Sequence, residues 1–257
     1  MKNHQQGVTL IVVMLLLVAI TVIATIAVRQ SLVSLNIATN SQAEQLMLQN
    51  ADAAFFNIEK EDNIIQSLSS SGMFGYIEGA VNRDKELVFC YRGASEGFFD
   101  TTRASIIEWN APDTKPKNDI MGKNGYCQVG NKDENLFTSG RRAVMTQVAV
   151  KFSSQAEKDP FFGQILGTDG ETVKLENAKP VRVFAVSIMP TLGTSTVTDA
   201  QINACLSEHM NEPTIPDGVV PVGNSAESVT TCLNSLGIPF ESNVTEYIIA
   251  QDFTSEE

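Results

Sequence analysis

The chain has 257 residues and a formal net charge of -12 at pH 7, from 18 basic and 30 acidic side chains. This balance disfavours a nucleic-acid-binding protein and a head that lies on anionic lipid, because both require a basic face. The only histidines are His4 and His209, which disfavours histidine-based catalysis and multi-histidine metal sites. Hydrophobic residues make up 43% of the chain, so a folded protein is expected.

The first predicted element is an apolar helix over residues 8–28, which read VTLIVVMLLLVAITVIATIAV and contain no charged side chain. At 1.5 Å per residue the run spans about 31 Å, which matches the hydrocarbon core of a bilayer. A buried core helix and a cleaved secretory signal are the alternatives. The run is too long for a signal, and no cleavage site with small residues follows it. We therefore expect a retained single-pass membrane anchor.

This helix is predicted to continue to about residue 60, because residues 8–71 contain neither Gly nor Pro. After the anchor, apolar and small residues recur at spacings of three and four, which indicates one apolar stripe. The distal part of the stripe comprises Leu46, Met47, Asn50, Ala54 and Ile58. We expect this part to pack against a folded head; an anchor followed by a coiled-coil stalk is the alternative.

Residues 61–257 are predicted to form a soluble head, which carries the whole charge of -12 because residues 1–60 are neutral. Strand-like segments are residues 86–92, 104–109, 143–152, 181–189 and 244–252, and short helices are expected over 199–210 and 226–236. The alternation within 143–152 predicts a half-buried antiparallel strand. The predicted fold class is therefore α+β, with a long N-terminal transmembrane helix packed on an antiparallel-sheet head with two short helices.

The head contains four cysteines, Cys90, Cys127, Cys205 and Cys232, and an even number outside the cytoplasm indicates disulfides. No Cys-x-x-Cys pair is present, so a zinc or redox site is not expected. Three pairings are possible. The spacing favours Cys90 with Cys127 and Cys205 with Cys232, because both loops then close locally.

The segment 212–225 (EPTIPDGVVPVGNS) is rich in Pro and Gly and is predicted to be a surface loop between the two short helices. Such a loop is either a contact surface or a tolerated insertion. No nucleophile signature accompanies the plentiful Ser and Asp residues. We therefore predict no catalytic, cofactor-binding or metal-binding residue, and the chain is not expected to be an enzyme.

Gly7 and the residues VTLI that follow it resemble the processing site of type IV prepilins, where a prepilin peptidase cuts after Gly and methylates the new N-terminus. The resemblance implies a leader over residues 1–7 and a mature chain that begins at Val8. Residues 49–54 (QNADAA) resemble the stretch that ends the N-terminal helix of PilX-type minor pilins. Most pilins carry Glu at the fifth mature position, where this chain has Val12. PilX-type pilins and the K-type pseudopilins of type II secretion share that absence and are placed at the filament tip.

The resemblance, which covers residues 5–60, implies a minor pilin that primes type IV pilus assembly and sits at or near the pilus tip. Before assembly it would cross the inner membrane once, with its head in the periplasm. The implied partners are other minor pilins and the major pilin through the N-terminal helix, and a PilY-type tip adhesin; no nucleic-acid contact is expected. The alternatives are a K-like type II secretion pseudopilin and a membrane-anchored exported adhesin or enzyme.

Overall fold

The computed structural model describes residues 6–77, 82, 84–93, 98–120, 125–130, 143–152, 179–193 and 196–249. The chain divides into two compact units, Met1–Gln45 and Leu46–Glu257. Helix α1 (Gln6–Ile58) contributes to both units. The second unit therefore begins within α1, and the last turns of this helix belong to the core of the head.

One antiparallel sheet of six strands forms the centre of the second unit, in the order β3-β2-β1-β4-β5-β6. Its strands are β1 (Glu86–Tyr91), β2 (Ala104–Glu108), β3 (Lys117–Ile120), β4 (Met145–Phe152), β5 (Lys179–Ile188) and β6 (Phe240–Ile249). Strands β2 and β1, and strands β4 and β5, are neighbours in the chain and in the sheet. The strands most central in the sheet, β1 and β4, are buried along their whole length, because both faces of the sheet are covered.

The first face of the sheet packs against the end of α1. Ala51, Ala54 and Ile58 are at most 1% exposed and contact the inward side chains of β1, β4 and β5, such as Leu87 and Val150. Alanine at two of these positions allows the helix to approach the strands closely. Two short helices that follow α1 close this side of the core: α2 (Glu61–Leu68) and α3 (Met73–Ile77).

The second face of the sheet is covered by α4 (Asp199–Glu208) and α5 (Val229–Ser235). Leu206 from α4 and Leu233 from α5 are fully buried against Met145, Val186 and Ile188 of the sheet. Thr198 and Gln201 form a capping box at the N-terminus of α4, which satisfies backbone N–H groups that the helix itself leaves unpaired. The head therefore has three layers, with helices on both sides of the sheet.

The α+β fold class and the antiparallel sheet are confirmed, and several details of the prediction are corrected. Strand β4 is buried along its whole length, so the predicted half-buried strand is wrong. Strand β3 and helices α2 and α3 were not predicted. On α1, Met47, Ala54 and Ile58 are buried as predicted, whereas Leu46 is 39% exposed. Ala51 and Phe55 are also buried, so the stripe is wider than the predicted one on that side.

Candidate functional site

The apolar segment of α1 presents hydrocarbon on all of its sides. The large apolar side chains between Leu10 and Val28 are each at least half exposed, and no charged residue lies among them. The hydroxyls of Thr21 and Thr25 donate to the carbonyl oxygens of residues 18 and 22, each at 2.8 Å. These polar groups are therefore satisfied within the helix, as a lipid environment requires. By length and composition, α1 could cross a membrane once.

The residues of the prepilin-like motif lie at the start of this segment. Gly7 and Val8 are in the first turn of α1, and Val12 lies one turn further along and is 51% exposed. The first charged side chain after them in α1 is that of Arg29. Helix α1 therefore carries no carboxylate near its N-terminus, within the part of the chain that the structure describes.

The last turns of α1 are attached to β6 by two side-chain hydrogen bonds. The amide of Asn243 donates to Asp52 at 2.9 Å, and the hydroxyl of Tyr247 donates to Glu59 at 3.0 Å. Burial raises the pKa of Tyr247, and the hydrogen bond to the Glu59 carboxylate raises it further. The Tyr247 hydroxyl therefore keeps its proton and remains a donor throughout the physiological range.

The four cysteines form two disulfides, Cys90–Cys127 and Cys205–Cys232, which is the pairing that their spacing favours. The first joins β1 to the segment 125–130, with Cα atoms 4.7 Å apart. The second joins α4 to α5, with Cα atoms 5.6 Å apart. Both therefore lie on the second face of the sheet and connect segments that the sheet alone would not hold together.

A buried carboxylate on β1 anchors the start of the loop 212–225. Glu86 is fully buried, and both of its carboxylate oxygens accept hydrogen bonds. Oε2 accepts from the backbone N of Asn211 at 2.8 Å and from the side-chain Nδ2 of Asn211 at 3.0 Å. Oε1 accepts from the backbone N of Glu212 at 2.8 Å. Burial raises the pKa of the Glu86 carboxyl, while these donors and the Lys151 ammonium act in the opposite direction. Glu86 therefore satisfies two backbone N–H groups at the start of the loop, where the chain is half-buried.

Further charged side chains extend this site across the sheet. Glu86, Lys151, Arg182 and Glu246 are successive cross-strand neighbours on β1, β4, β5 and β6. The Lys151 ammonium donates to the backbone carbonyl of Glu212 and to the Thr214 hydroxyl. Arg182 donates to the carboxylates of Glu246 and Glu212, each at 2.9 Å, and these bonds raise its pKa. The row of charges holds residues 211–214 against the sheet.

Gln147 lies on the same face of β4 as Lys151, and its side chain forms hydrogen bonds to two other segments that cover the sheet. The carbonyl of Gln147, which is 2% exposed, accepts a hydrogen bond from the backbone N of Cys127 at 3.1 Å. Its amide donates to the carbonyl of Leu206, near the C-terminus of α4, at 3.0 Å. Gln147 thus supplies partners for one disulfide segment and for a helix end whose carbonyls lack intrahelical donors.

The rest of the loop 212–225 lies on the surface, as predicted. The backbone N of Val222 and the hydroxyl of Ser225 donate to the carbonyl of Thr114, which ties the loop to the connection between β2 and β3. Three apolar side chains of the loop remain exposed: Ile215, Val220 and Val222. The loop is anchored at both ends, and its middle offers apolar contact area.

The structure places the predicted site residues in two separate regions. Gly7, Val8 and Val12 are in α1, and the four cysteines are in the head. The roles of Glu86, Gln147 and Lys151 were not predicted, because their hydrogen-bond partners lie far away in the chain. Comparisons with family models, with curated proteins and with solved structures returned no match for the chain.

Proposed function

We propose that this chain is a minor pilin of the PilX type, which primes assembly of a type IV pilus and sits at or near its tip. The observation that carries the proposal is the division of α1 into two kinds of surface. Residues 10–28 present apolar side chains on all sides, whereas residues 47–58 are buried on one side under a sheet. An uncharged surface on all sides suits both lipid and a bundle of similar helices, so one helix can serve in the membrane and then in a filament.

The start of α1 supports processing by a prepilin peptidase. Gly7 precedes an apolar segment that begins at Val8, and cleavage between them would release a seven-residue leader. The mature subunit would then join other minor pilins and the major pilin through this helix. The partner at the outer end would be a PilY-type adhesin.

Val12 supports a leading position in the filament. A carboxylate at this depth is costly unless it is paired, and in pilins it is thought to meet the amino terminus of the subunit ahead. A subunit with no neighbour ahead needs no such group. The K-like pseudopilin of a type II secretion system shares this feature and is the second candidate.

The chemistry of the head supports a location outside the cytoplasm. Both disulfides require an oxidising compartment, which the periplasm and the cell surface supply. We propose that the head is periplasmic while α1 crosses the inner membrane, and that it is exposed at the pilus tip after assembly.

The proposal is tested in cells that lack the chain and are complemented with it at native levels. We expect surface pili to be lost in the deletion strain and restored by the wild type, and mass spectrometry to find a methylated Val8 at the mature N-terminus. A chain without residues 1–28, exported by a cleavable signal, is the matched control and should not restore pili. Pili at wild-type numbers in the deletion strain, or an intact Met1, would contradict the proposal. Loss of secreted protein with normal pili would favour the pseudopilin.

A further inference from the structure

Strand β6 is a long edge strand that pairs only with β5 among the residues that the structure describes. Its ten residues, FESNVTEYII, stay in unbroken register with β5 from Ile249 to Phe240. The strand contains no Pro, Gly or Lys. Edge strands are normally blunted by such residues, by bulges or by shortness, because unpaired backbone N–H and C=O groups recruit other strands. Strand β6 is long and regular, and its only charged side chains are two carboxylates, Glu241 and Glu246.

The opposite edge of the sheet differs in each respect. Strand β3 has only four residues and begins with Lys117, which forms an ion pair with Asp113 at 2.7 Å. Its register with β2 shifts between Ile106 and Glu108. The sheet thus has one edge that is blunted and one that is suited to strand addition.

Two recesses lie beside β6, and together we call them the β6 groove. The first, of about 570 Å³, lies between residues 52–59 and 242–245, and Phe56 and Val244 line it. The second, of about 210 Å³, is mainly apolar, and its lining includes Leu68 and Ile248. Phe56 is 71% exposed, so a large apolar side chain borders the groove without being covered. The side chain of Val244 lies on the opposite face of the sheet, together with that of its cross-strand partner Phe184.

The spacing of the recesses fits an extended chain. They meet β6 around residues 242–245 and 247–248, about four residues or 13 Å apart along the strand. A strand beside β6 would present every second side chain to the same face, about 7 Å apart. Side chains four positions apart could therefore enter the two recesses while the backbone pairs with β6.

The charge around the groove defines the chemistry of its occupant. Residues 52–68 and 240–249 carry six carboxylates and only one ammonium group, that of Lys60. Arg182 pairs with Glu246, but Asp52, Glu59 and Glu241 have no cationic partner among the described residues. A second copy of this chain would bring the same carboxylates to the interface, which disfavours pairing of β6 with itself. A partner segment with Lys or Arg would complement the site.

From these features we infer that the β6 groove binds an extended segment of another protein. The segment adds to β6 as a seventh strand, fills the two recesses with aliphatic or aromatic side chains, and places Lys or Arg near Asp52, Glu59 and Glu241. Backbone pairing supplies affinity and the recesses supply specificity, as in other cases of strand addition. The inference depends on the head alone and not on the filament proposal.

The test uses the full chain in lipid nanodiscs and a displayed library of random decapeptides. We expect the selected peptides to alternate apolar with other residues and to contain Lys or Arg. For a synthetic copy of such a peptide, Phe56→Lys should weaken binding by at least about tenfold. Val220→Lys, at an exposed valine of the loop 212–225, is the matched control and should change binding by less than about twofold.

Hydrogen exchange distinguishes strand addition from other modes of binding. The bound peptide should slow exchange of backbone amides within β6, and Phe56→Ala should weaken binding even if Phe56→Lys fails to fold. A library that yields no alternating peptides, binding that tolerates both substitutions, or protection of amides elsewhere would overturn the inference. Dimers of the wild type that Phe56→Lys abolishes would also overturn it, because the occupant would then be a second copy. The assay contains no pilus components, so its result is independent of filament assembly.

Discussion

Replacing Glu86 with Ala should destabilise the head and release the start of the loop 212–225. The substitution removes the acceptor for the backbone N–H groups of Asn211 and Glu212 and for the Asn211 amide. It also removes the anionic neighbour of Lys151 on the adjacent strand. Glu86 and Lys151 are fully buried, and Asn211 and Glu212 are half-buried, so solvent can replace the lost carboxylate only in part.

The size of the effect follows from these losses. A buried donor left without an acceptor costs about 1 to 3 kcal/mol, and breaking a buried charged pair costs about 3 to 5 kcal/mol. Lys151 keeps two oxygen acceptors, from Glu212 and Thr214. The cost of removing its anionic neighbour should therefore lie at the lower end of the range for a buried charged pair. We expect Glu86→Ala to lower the free energy of unfolding by about 3 to 5 kcal/mol. Glu86→Gln keeps one acceptor oxygen and should cost less.

Urea unfolding of the chain without residues 1–28, with both disulfides intact, measures this loss. The matched control is Glu208→Ala, which removes an exposed pair with Lys115 at 3.4 Å and should cost less than about 1 kcal/mol. Limited proteolysis should cut the loop 212–225 faster in Glu86→Ala than in the control. Equal stability of the two variants, or unchanged cleavage of the loop, would refute the anchoring role of Glu86.

Three further predictions test other parts of the account. Ile58→Ala should lower the free energy of unfolding by about 2 to 5 kcal/mol, and Phe56→Ala by less than about 0.5 kcal/mol, because only Ile58 is buried; urea unfolding compares them. Replacing both Cys205 and Cys232 with Ser should lower the free energy of unfolding by about 3 to 4 kcal/mol, measured by urea unfolding under oxidising conditions. An unchanged urea midpoint would contradict the stabilising role of this disulfide. Val12→Glu should reduce the number of surface pili at matched expression, because an unpaired carboxylate in the apolar segment costs about 2.5 to 3.5 kcal/mol; a higher count would argue against a leading subunit.

The parts of the fold that were predicted correctly are those with strong local patterns. Strands β1 and β5 contain the apolar runs LVFCY and VFAV, and α1 is long and lacks helix breakers. Strand β3 reads KNDI and has no apolar alternation, so its extended form depends on pairing with β2, which the sequence does not reveal. Helices α2 and α3 are too short for a helical period to be recognised.

The burial of β4 could not be predicted because its polar side chains have partners far away in the chain. Gln147 contacts α4, and Lys151 contacts residues more than 60 positions later. A pattern of apolar and polar residues cannot distinguish a polar side chain in water from one that is buried and paired. The same limit applies to Glu86, whose partners are at least 125 positions away.

The position of the chain on isolated filaments tests the central claim most directly. Surface pili can be sheared from cells and labelled with gold-conjugated antibodies against the unit Leu46–Glu257. The proposed role predicts label at one end of the filament, and no label on pili from the deletion strain complemented with an unrelated minor pilin. Label along the whole length would show an ordinary filament subunit, and unlabelled pili from wild-type cells would contradict the account.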